Sequence, residues 1–290
     1  MPVGWAAGVK RRFAMITGRG YAFQEGPGLA RAMVRLVATL LYAFGLRFAN
    51  GVLFHNEADR AMFRHRGMIS RRLPTARIWG SGIDLVQHAP RPLPLLGQGH
   101  PVRFLMIGRL VRAKGVAEYA AAAAQLRAAG HDARFRLVGP YDPSPDSVSQ
   151  TELDRWIGSR DIEYIGPLDD VRDEITQAHV VVLPSYSEGL PRSVLEGMAA
   201  GRAIVTTSAP GCADTIEDGR SGYIVPPRDS AGLAEAMQRL ISSPELIEQF
   251  GAQALARARE RFDVVAVNAA IAEFIGLQAR QGIEKSCASS

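Results

Sequence analysis

Three of the 290 residues are lysine and two are cysteine, against 31 arginines. Cys212 and Cys287 are too few for a disulfide framework, and with six histidines scattered singly they make no metal-ligand set. Such sparing cysteine use fits a reducing, cytoplasmic setting. Long hydrophobic runs are also missing. The most lipid-like stretch, "LVATLLYAFGL" (36–46), lies between Arg35 and Arg47, and at 1.5 Å per residue its eleven residues fall short of a ~30 Å bilayer core. It reads as a buried core helix or, with Arg31 and the "KRR" of 10–12 nearby, as part of a helix near 29–48 lying on an anionic membrane face. The opening residues do not read as a secretory signal. Acidic charge is scarce in the first hundred residues, which hold 14 Lys+Arg against 4 Asp+Glu, whereas the remainder holds 20 against 25. The basic third suits anionic lipid or an anionic substrate. It carries no nucleic-acid-binding motif, and a nucleic-acid partner is not expected.

A hydrophobic share of 47% is ample for folded domains with proper cores. From residue 102 onward, short apolar runs alternate with helix-like segments. The runs are "FLMIG" (104–108), "RFRLVG" (134–139), "IEYIG" (162–166), "VVVLPS" (180–185) and "AIVTT" (203–207), with helices at 116–129, 168–178 and 192–200. Strands buried on both faces and separated by helices predict a doubly wound parallel α/β sheet. Helical patterns at 230–242, 244–261 and 264–279 close the chain, and "DPSPDS" (142–147) is a polar loop. The four prolines of 89–101 mark a linker. Ahead of it stand a strand "VLFHN" (52–56), a helix near 57–66 and a strand "ARIWG" (76–80), too little for a complete second domain. The expected organisation is therefore 1–88 as a partial amino-terminal domain, 89–101 as linker, 102–262 as the complete domain, and 263–290 as a closing helix and tail.

Two motifs carry chemistry. "MIGRLVRAKG" (106–115) is a strand end, a glycine turn and two cations, Arg109 and Lys114, before a helix. Gly108 permits close backbone approach, and both cations can converge on an anion beyond the carboxyl end of the strand. In "LPSYSEGLPRSVLEGMAAG" (183–201), Glu188 lies in a loop and Glu196 lies in the following helix, where an ion pair with Arg192 on an exposed face is the structural alternative. Their separation suits two carboxylates on different parts of one polyhydroxylated ligand better than an acid/base dyad. Gly189 and its loop add backbone N–H donors.

These stretches, together with "APGCADTIEDGRSGYIVPPRD" (209–229) and "GSGIDL" (80–85), resemble the nucleotide-sugar-dependent glycosyltransferases of family 4, and most closely those of bacterial capsular, exopolysaccharide and O-antigen assembly. The resemblance implies the GT-B fold, with a Rossmann-like carboxyl-terminal donor domain preceded by the remnant of an amino-terminal acceptor domain. It implies that Gly108, Arg109 and Lys114 serve the donor diphosphate, Glu196 the ribose, and Glu188 with Gly189, Leu190 and Pro191 the transferred sugar. It further implies retention at the anomeric carbon, with Glu188, Arg109 and Lys114 as the catalytic set, a UDP-linked donor with an N-acetylhexosamine as the first candidate sugar, and a lipid-linked or polysaccharide acceptor. No cofactor or metal is expected, since no Asp-x-Asp motif is present.

The chain departs from the family at several places. Ala203, Ser208 and Ala213 stand where members commonly have Pro, Asp and Arg, and Arg19 in "TGRGYAF" replaces a commonly apolar residue on the acceptor side. Cys212 reads as packing rather than as a nucleophile. "ITGRGYAF" begins 16 residues in, whereas members place it after roughly a hundred, so the early strands of the first domain are expected to be missing. The alternatives are a donor-binding subunit inactive without a partner and a nucleotide-sugar epimerase on the same fold.

Overall fold

The computed structural model describes residues 1–23, 28–97, 99–144 and 146–277. Its elements are α1 (Pro2–Ala6), β1 (Phe13–Ile16), α2 (Leu29–Leu46), β2 (Gly51–Phe54), α3 (Glu57–His65), β3 (Thr75–Arg77), β4 (Val102–Ile107), α4 (Val116–Ala128), β5 (Ala133–Val138), α5 (Gln150–Gly158), β6 (Glu163–Gly166), α6 (Arg172–Gln177), β7 (Val180–Leu183), α7 (Arg192–Ala199), β8 (Ala203–Thr207), β9 (Gly222–Val225), α8 (Ser230–Ser242), α9 (Pro244–Arg261) and α10 (Val264–Phe274).

The apolar runs after residue 101 pair as expected into one parallel sheet, in the order β6-β5-β4-β7-β8-β9. Their residues are buried because helices cover both faces: Phe104, Met106, Val180 to Val182 and Ala203 to Val205 sit in one core with Tyr119, Leu195, Met237 and Phe250. This is the Rossmann-type order, and it reverses between β4 and β7. The loops after those two strands therefore diverge at a crevice. Two elements lie outside the sequence expectation. The sixth strand, β9, is only four residues long and opens on glycine, too short for a periodicity signal. Helix α5 begins with a capping box, Ser149 to Glu152, a signal legible in "SQTE".

The amino-terminal half forms a separate three-stranded parallel sheet, β1-β2-β3. Strand β1 lies outside the expected elements, since "FAMI" has no alternation to distinguish it. A second core joins Ile16, Phe23, Leu46, Val52, Phe54 and Phe63. Asn56 starts α3 by accepting the backbone N–H of Asp59 at 2.8 Å.

Of the two readings of 36–46, the buried core helix is overturned. Among the residues of α2 only Leu46 is buried. The helix is also longer than the eleven-residue run, since it begins at Leu29; by length and composition alone it reaches the span of a bilayer core. It rests on the sheet through Ala38, Tyr42 and Leu46. Leu29, Met33, Leu36, Leu40 and Phe44 form an exposed stripe at helical spacing.

Helix α10 returns to the amino-terminal half. Its entry bridges Ile83 to Asp263, and Phe274 packs edge-on to Phe13 with ring centroids 5.9 Å apart. The segment expected as a separate carboxyl-terminal helix thus completes the first half, and α10 ends at Phe274; Cys287 lies outside the described residues.

Candidate active site

Between the halves, at the carboxyl ends of β1, β4 and β7, lies a cleft of about 430 Å³. Thr17 to Gly20 form one wall. Arg109, Val111, Ala113, Lys114, Ser144, Asp146, Ser185, Ser187, Glu188 and Gly189 form the other.

Backbone geometry explains the convergence. Gly115 adopts φ +75°, and a Cβ there would stand 2.1 Å from the Pro184 carbonyl oxygen, so only glycine lets the turn after β4 rest on the loop after β7. That contact continues as Tyr186 N–H donates to the Ala113 carbonyl at 2.9 Å. Lys114 is thereby delivered to Glu188. Its Nζ donates to Glu188 Oε1 at 2.6 Å, and the same oxygen lies 2.6 Å from Ser185 Oγ. Arg109, mostly exposed, pairs with Asp142 Oδ2 at 2.5 Å. Hydrogen bonds from Ser144, and then the Arg109 guanidinium, hold the Asp142 carboxyl below its ordinary range.

Gly189 presses against the opposite wall, and a Cβ on it would lie 1.6 Å from the Thr17 carbonyl oxygen. Asn56 Nδ2, fully buried, lies 3.2 Å from the Glu188 carbonyl oxygen and 3.0 Å from that of Gly189. Its other partner, Asp59 Oδ2, is 3.0 Å away, and Asp59 Oδ1 accepts from Arg19 Nε at 2.5 Å. Arg77 of β3 and Asp214 add an ion pair at 2.9 Å between the halves.

Of the residues singled out from the sequence, Arg109, Lys114, Glu188 and Gly189 line the cleft together. Gly108 stands just behind them, and its open side would meet only the methylenes of Lys114, 3.8 Å away. Leu190 turns aside and packs where Gly80 has no side chain, and Pro191 is the buried N-cap of α7. Glu196 is not among the cleft-lining residues. The structural alternative for it holds in its ion pair and fails in its exposure: the side chain is 10% exposed, pairs with Arg192 Nε at 2.8 Å, and lies 4.0 Å from His88 Nε2. Cys212 is fully buried, and burial, followed by the Glu188 charge, pushes its thiol up to about 12, which leaves it inert as a nucleophile. Among the described residues no cluster of three His, Cys, Asp or Glu is placed to hold a metal ion.

Sequence reasoning missed Thr17, Gly18, Asn56, Asp59, Asp146 and Ser185. The 142–147 loop, read only as polar, supplies Ser144 and Asp146 to the cleft, and Asp146 Oδ2 accepts the Ala113 N–H at 3.0 Å. The signal available was its position after β5, at the same sheet edge as the two motifs.

Comparison with known proteins agrees with this architecture. Residues 101–243 match the family model described as glycosyl transferases group 1. Over 252 residues the chain is 29% identical to the N,N'-diacetylbacillosaminyl-diphospho-undecaprenol alpha-1,3-N-acetylgalactosaminyltransferase of Campylobacter jejuni, covering 83% of this chain and 64% of that one. It is 33% identical over 156 residues to the alpha-D-kanosaminyltransferase of Streptomyces kanamyceticus, covering 52% and 39% respectively. The chain thus spans less than two thirds of the length of these relatives. Among solved structures, HepE of Anabaena in complex with UDP and glucose superposes with a TM-score of 0.77 at 22% identity, covering 95% of this chain and 73% of that one. Sucrose-phosphate synthase of Thermosynechococcus elongatus gives 0.76 at 23%, covering 93% and 69%. The chain has the GT-B fold, and the segment that resembles the group 1 glycosyl transferases, 101–243, is its carboxyl-terminal domain.

Proposed function

We propose that the protein is a retaining glycosyltransferase that moves a sugar from a nucleotide-sugar to a lipid-linked or polysaccharide acceptor in surface-glycan synthesis, at the cytoplasmic face of a membrane. The observation that carries this reading is the meeting of Arg109, Lys114, Glu188 and Gly189 in one cleft at the switch point of the sheet. The donor diphosphate lies against Arg109 and Lys114, with Gly108 giving room for its approach. Glu188 and the Gly189 to Pro191 backbone hold the transferred sugar. Glu196 accepts from the ribose hydroxyls once Arg192, whose side chain is 76% exposed, swings outward. As the sugar–phosphate bond breaks, negative charge grows on the leaving diphosphate, and Arg109 and Lys114, already drawn to it when the donor bound, stabilise that charge. The diphosphate then takes the proton of the attacking hydroxyl. This places the neutralising charge on protein rather than on a metal ion. A UDP-linked N-acetylhexosamine is the donor we favour, because the Campylobacter jejuni relative, matched over 252 residues, is named for transfer of an N-acetylgalactosamine.

The test is calorimetry of the full chain against UDP- and GDP-sugars, followed by a transfer assay with and without EDTA that reads the product anomer. Absence of nucleotide-sugar binding, or an inverted product, would refute the reading.

The membrane contact has its own support. The exposed stripe on α2 continues through Phe44 and Phe48 to Trp5 of α1, with ring centroids 5.4 Å and 5.2 Å apart. Exposed Val3 and Trp5 enlarge this apolar face, and exposed Lys10, Arg11 and Arg47 border it. An apolar face rimmed by cations and an amphipathic aromatic suits an anionic bilayer surface. The protein should pellet with anionic vesicles, release partly in salt, and lose binding on Leu40→Ser with Trp5→Ser. Equal binding to neutral vesicles, or none to either, would remove the assignment.

A further inference from the structure

The cleft holds one cation from the amino-terminal half among its described lining residues, Arg19, facing the two from the other wall. Its surroundings are built. Asp59, which binds its Nε, is fully buried, whereas the Arg19 side chain is 24% exposed. Asp59 is fixed in turn, because its backbone N–H and its Oδ2 both bond to the Asn56 side chain. A guanidinium anchored at Nε by a buried, doubly bonded carboxylate keeps its terminal Nη groups as donors for a ligand. A neutral sugar hydroxyl has no need of such a group. A planar fork of N–H donors matches two oxygens of a phosphate.

Position decides which phosphate. The loop that carries Arg19 touches the loop that carries Glu188, since a Cβ on Gly18 would lie 3.4 Å from the Gly189 nitrogen. Arg19 therefore stands beside the place assigned above to the transferred sugar, on the wall opposite Arg109 and Lys114. We propose that Arg19 is a specificity-determining contact for an acceptor bearing a phosphate or diphosphate near its reacting hydroxyl, with Asp59 and Asn56 as positioning residues. The proposal rests on the donor assignment of the other wall.

The experiment saturates the full chain with UDP, so that Arg109 and Lys114 are occupied, and titrates farnesyl diphosphate, inorganic pyrophosphate and farnesol by calorimetry. Wild type should bind farnesyl diphosphate, and Arg19→Gln should weaken that binding roughly ten- to hundredfold while UDP affinity stays within about twofold. That retained UDP affinity shows the variant is folded. Arg19→Lys, which keeps the charge but not the fork, should fall between. Pyrophosphate binding as tight as that of the prenyl compound means the anion is recognised by itself; tighter prenyl binding means it is recognised with its lipid. Both outcomes support the contact if Arg19→Gln abolishes the preference over farnesol. Equal diphosphate affinity in wild type and Arg19→Gln, no diphosphate binding to the UDP-saturated protein, or a tenfold loss of UDP affinity in Arg19→Gln would each overturn it. Failure of wild type to bind UDP would instead strike the donor assignment.

Discussion

Lys114 and Glu188 are given to different parts of one donor, yet without ligand they hold each other, Nζ to Oε1 at 2.6 Å with side chains 23% and 13% exposed. A diphosphate reaching Lys114 must draw it from that carboxylate, and it meets the repulsion of Glu188 as it arrives. Lys114→Ala removes a charge-assisted bond of roughly 1.5 to 3 kcal/mol, so affinity for free UDP should fall roughly ten- to hundredfold. Glu188→Gln has the opposite sign. It frees the ammonium and removes the repulsion, and for a partly exposed pair the gain is about 1 kcal/mol, or roughly a fivefold tightening of UDP. UDP-sugar should not share that gain, because the amide is a poorer acceptor for the sugar hydroxyls. The ratio of UDP to UDP-sugar dissociation constants should therefore shrink. In the double variant the benefit of Glu188→Gln should vanish, leaving a coupling of about 1 kcal/mol in the cycle. Calorimetry of four proteins against two ligands measures all of this. A tenfold loss of free UDP affinity in Glu188→Gln, or simple additivity in the double variant, would refute the reasoning.

Glu196→Gln should weaken UDP and UDP-sugar by the same factor, since the ribose is common to both, and the assignment fails if only UDP-sugar is affected. Acid should destabilise the fold through His179, whose Nδ1 accepts the Arg103 backbone N–H at 2.9 Å and whose Nε2 lies 3.3 Å from the Pro94 carbonyl oxygen. Burial lowers this imidazole from 6.5 to about 4, so the unfolded chain takes up its proton first as pH falls. Stability is full above 6.5, declines between 6.5 and 4, and by pH 5 has lost about 2 kcal/mol from this group. Denaturant titrations at pH 7 and 5 on wild type and His179→Gln measure it, and an equal loss in both would exclude His179 as the cause.

The carboxyl-terminal sheet and two wall segments of the cleft were legible because their signals are local. Strands β4, β5, β7 and β8 are short apolar runs beside glycine turns, and the motif cations sit within a few residues of them. Of the other wall, Arg19 was singled out, and the rest was illegible because its contacts span the chain. Asn56 and Glu188 are 132 residues apart, and nothing in "VLFHNEAD" sets that asparagine's reach across the cleft apart from ordinary capping of α3. Helix α2 failed for another reason. Composition ranks a segment as apolar without saying which side of it the rest of the chain covers, and here the covering is on Ala38, Tyr42 and Leu46 rather than on Leu29, Leu36, Leu40 and Leu41.

Gly189 shows a third kind of limit. In the sequence it reads as a loop residue offering its N–H to a ligand. In the structure a methyl group on it would enter the Thr17 carbonyl, so the closest approach between the walls passes through a missing side chain. Gly115 does the same against Pro184, and that approach is what delivers Lys114 to Glu188. A glycine of this kind records a long-range contact only as an absence. Its partner has no counterpart signal, since a backbone carbonyl belongs to every residue. The contact therefore becomes readable once the strand order is known, because only then does the end of β4 lie beside the end of β7, and the end of β1 opposite both.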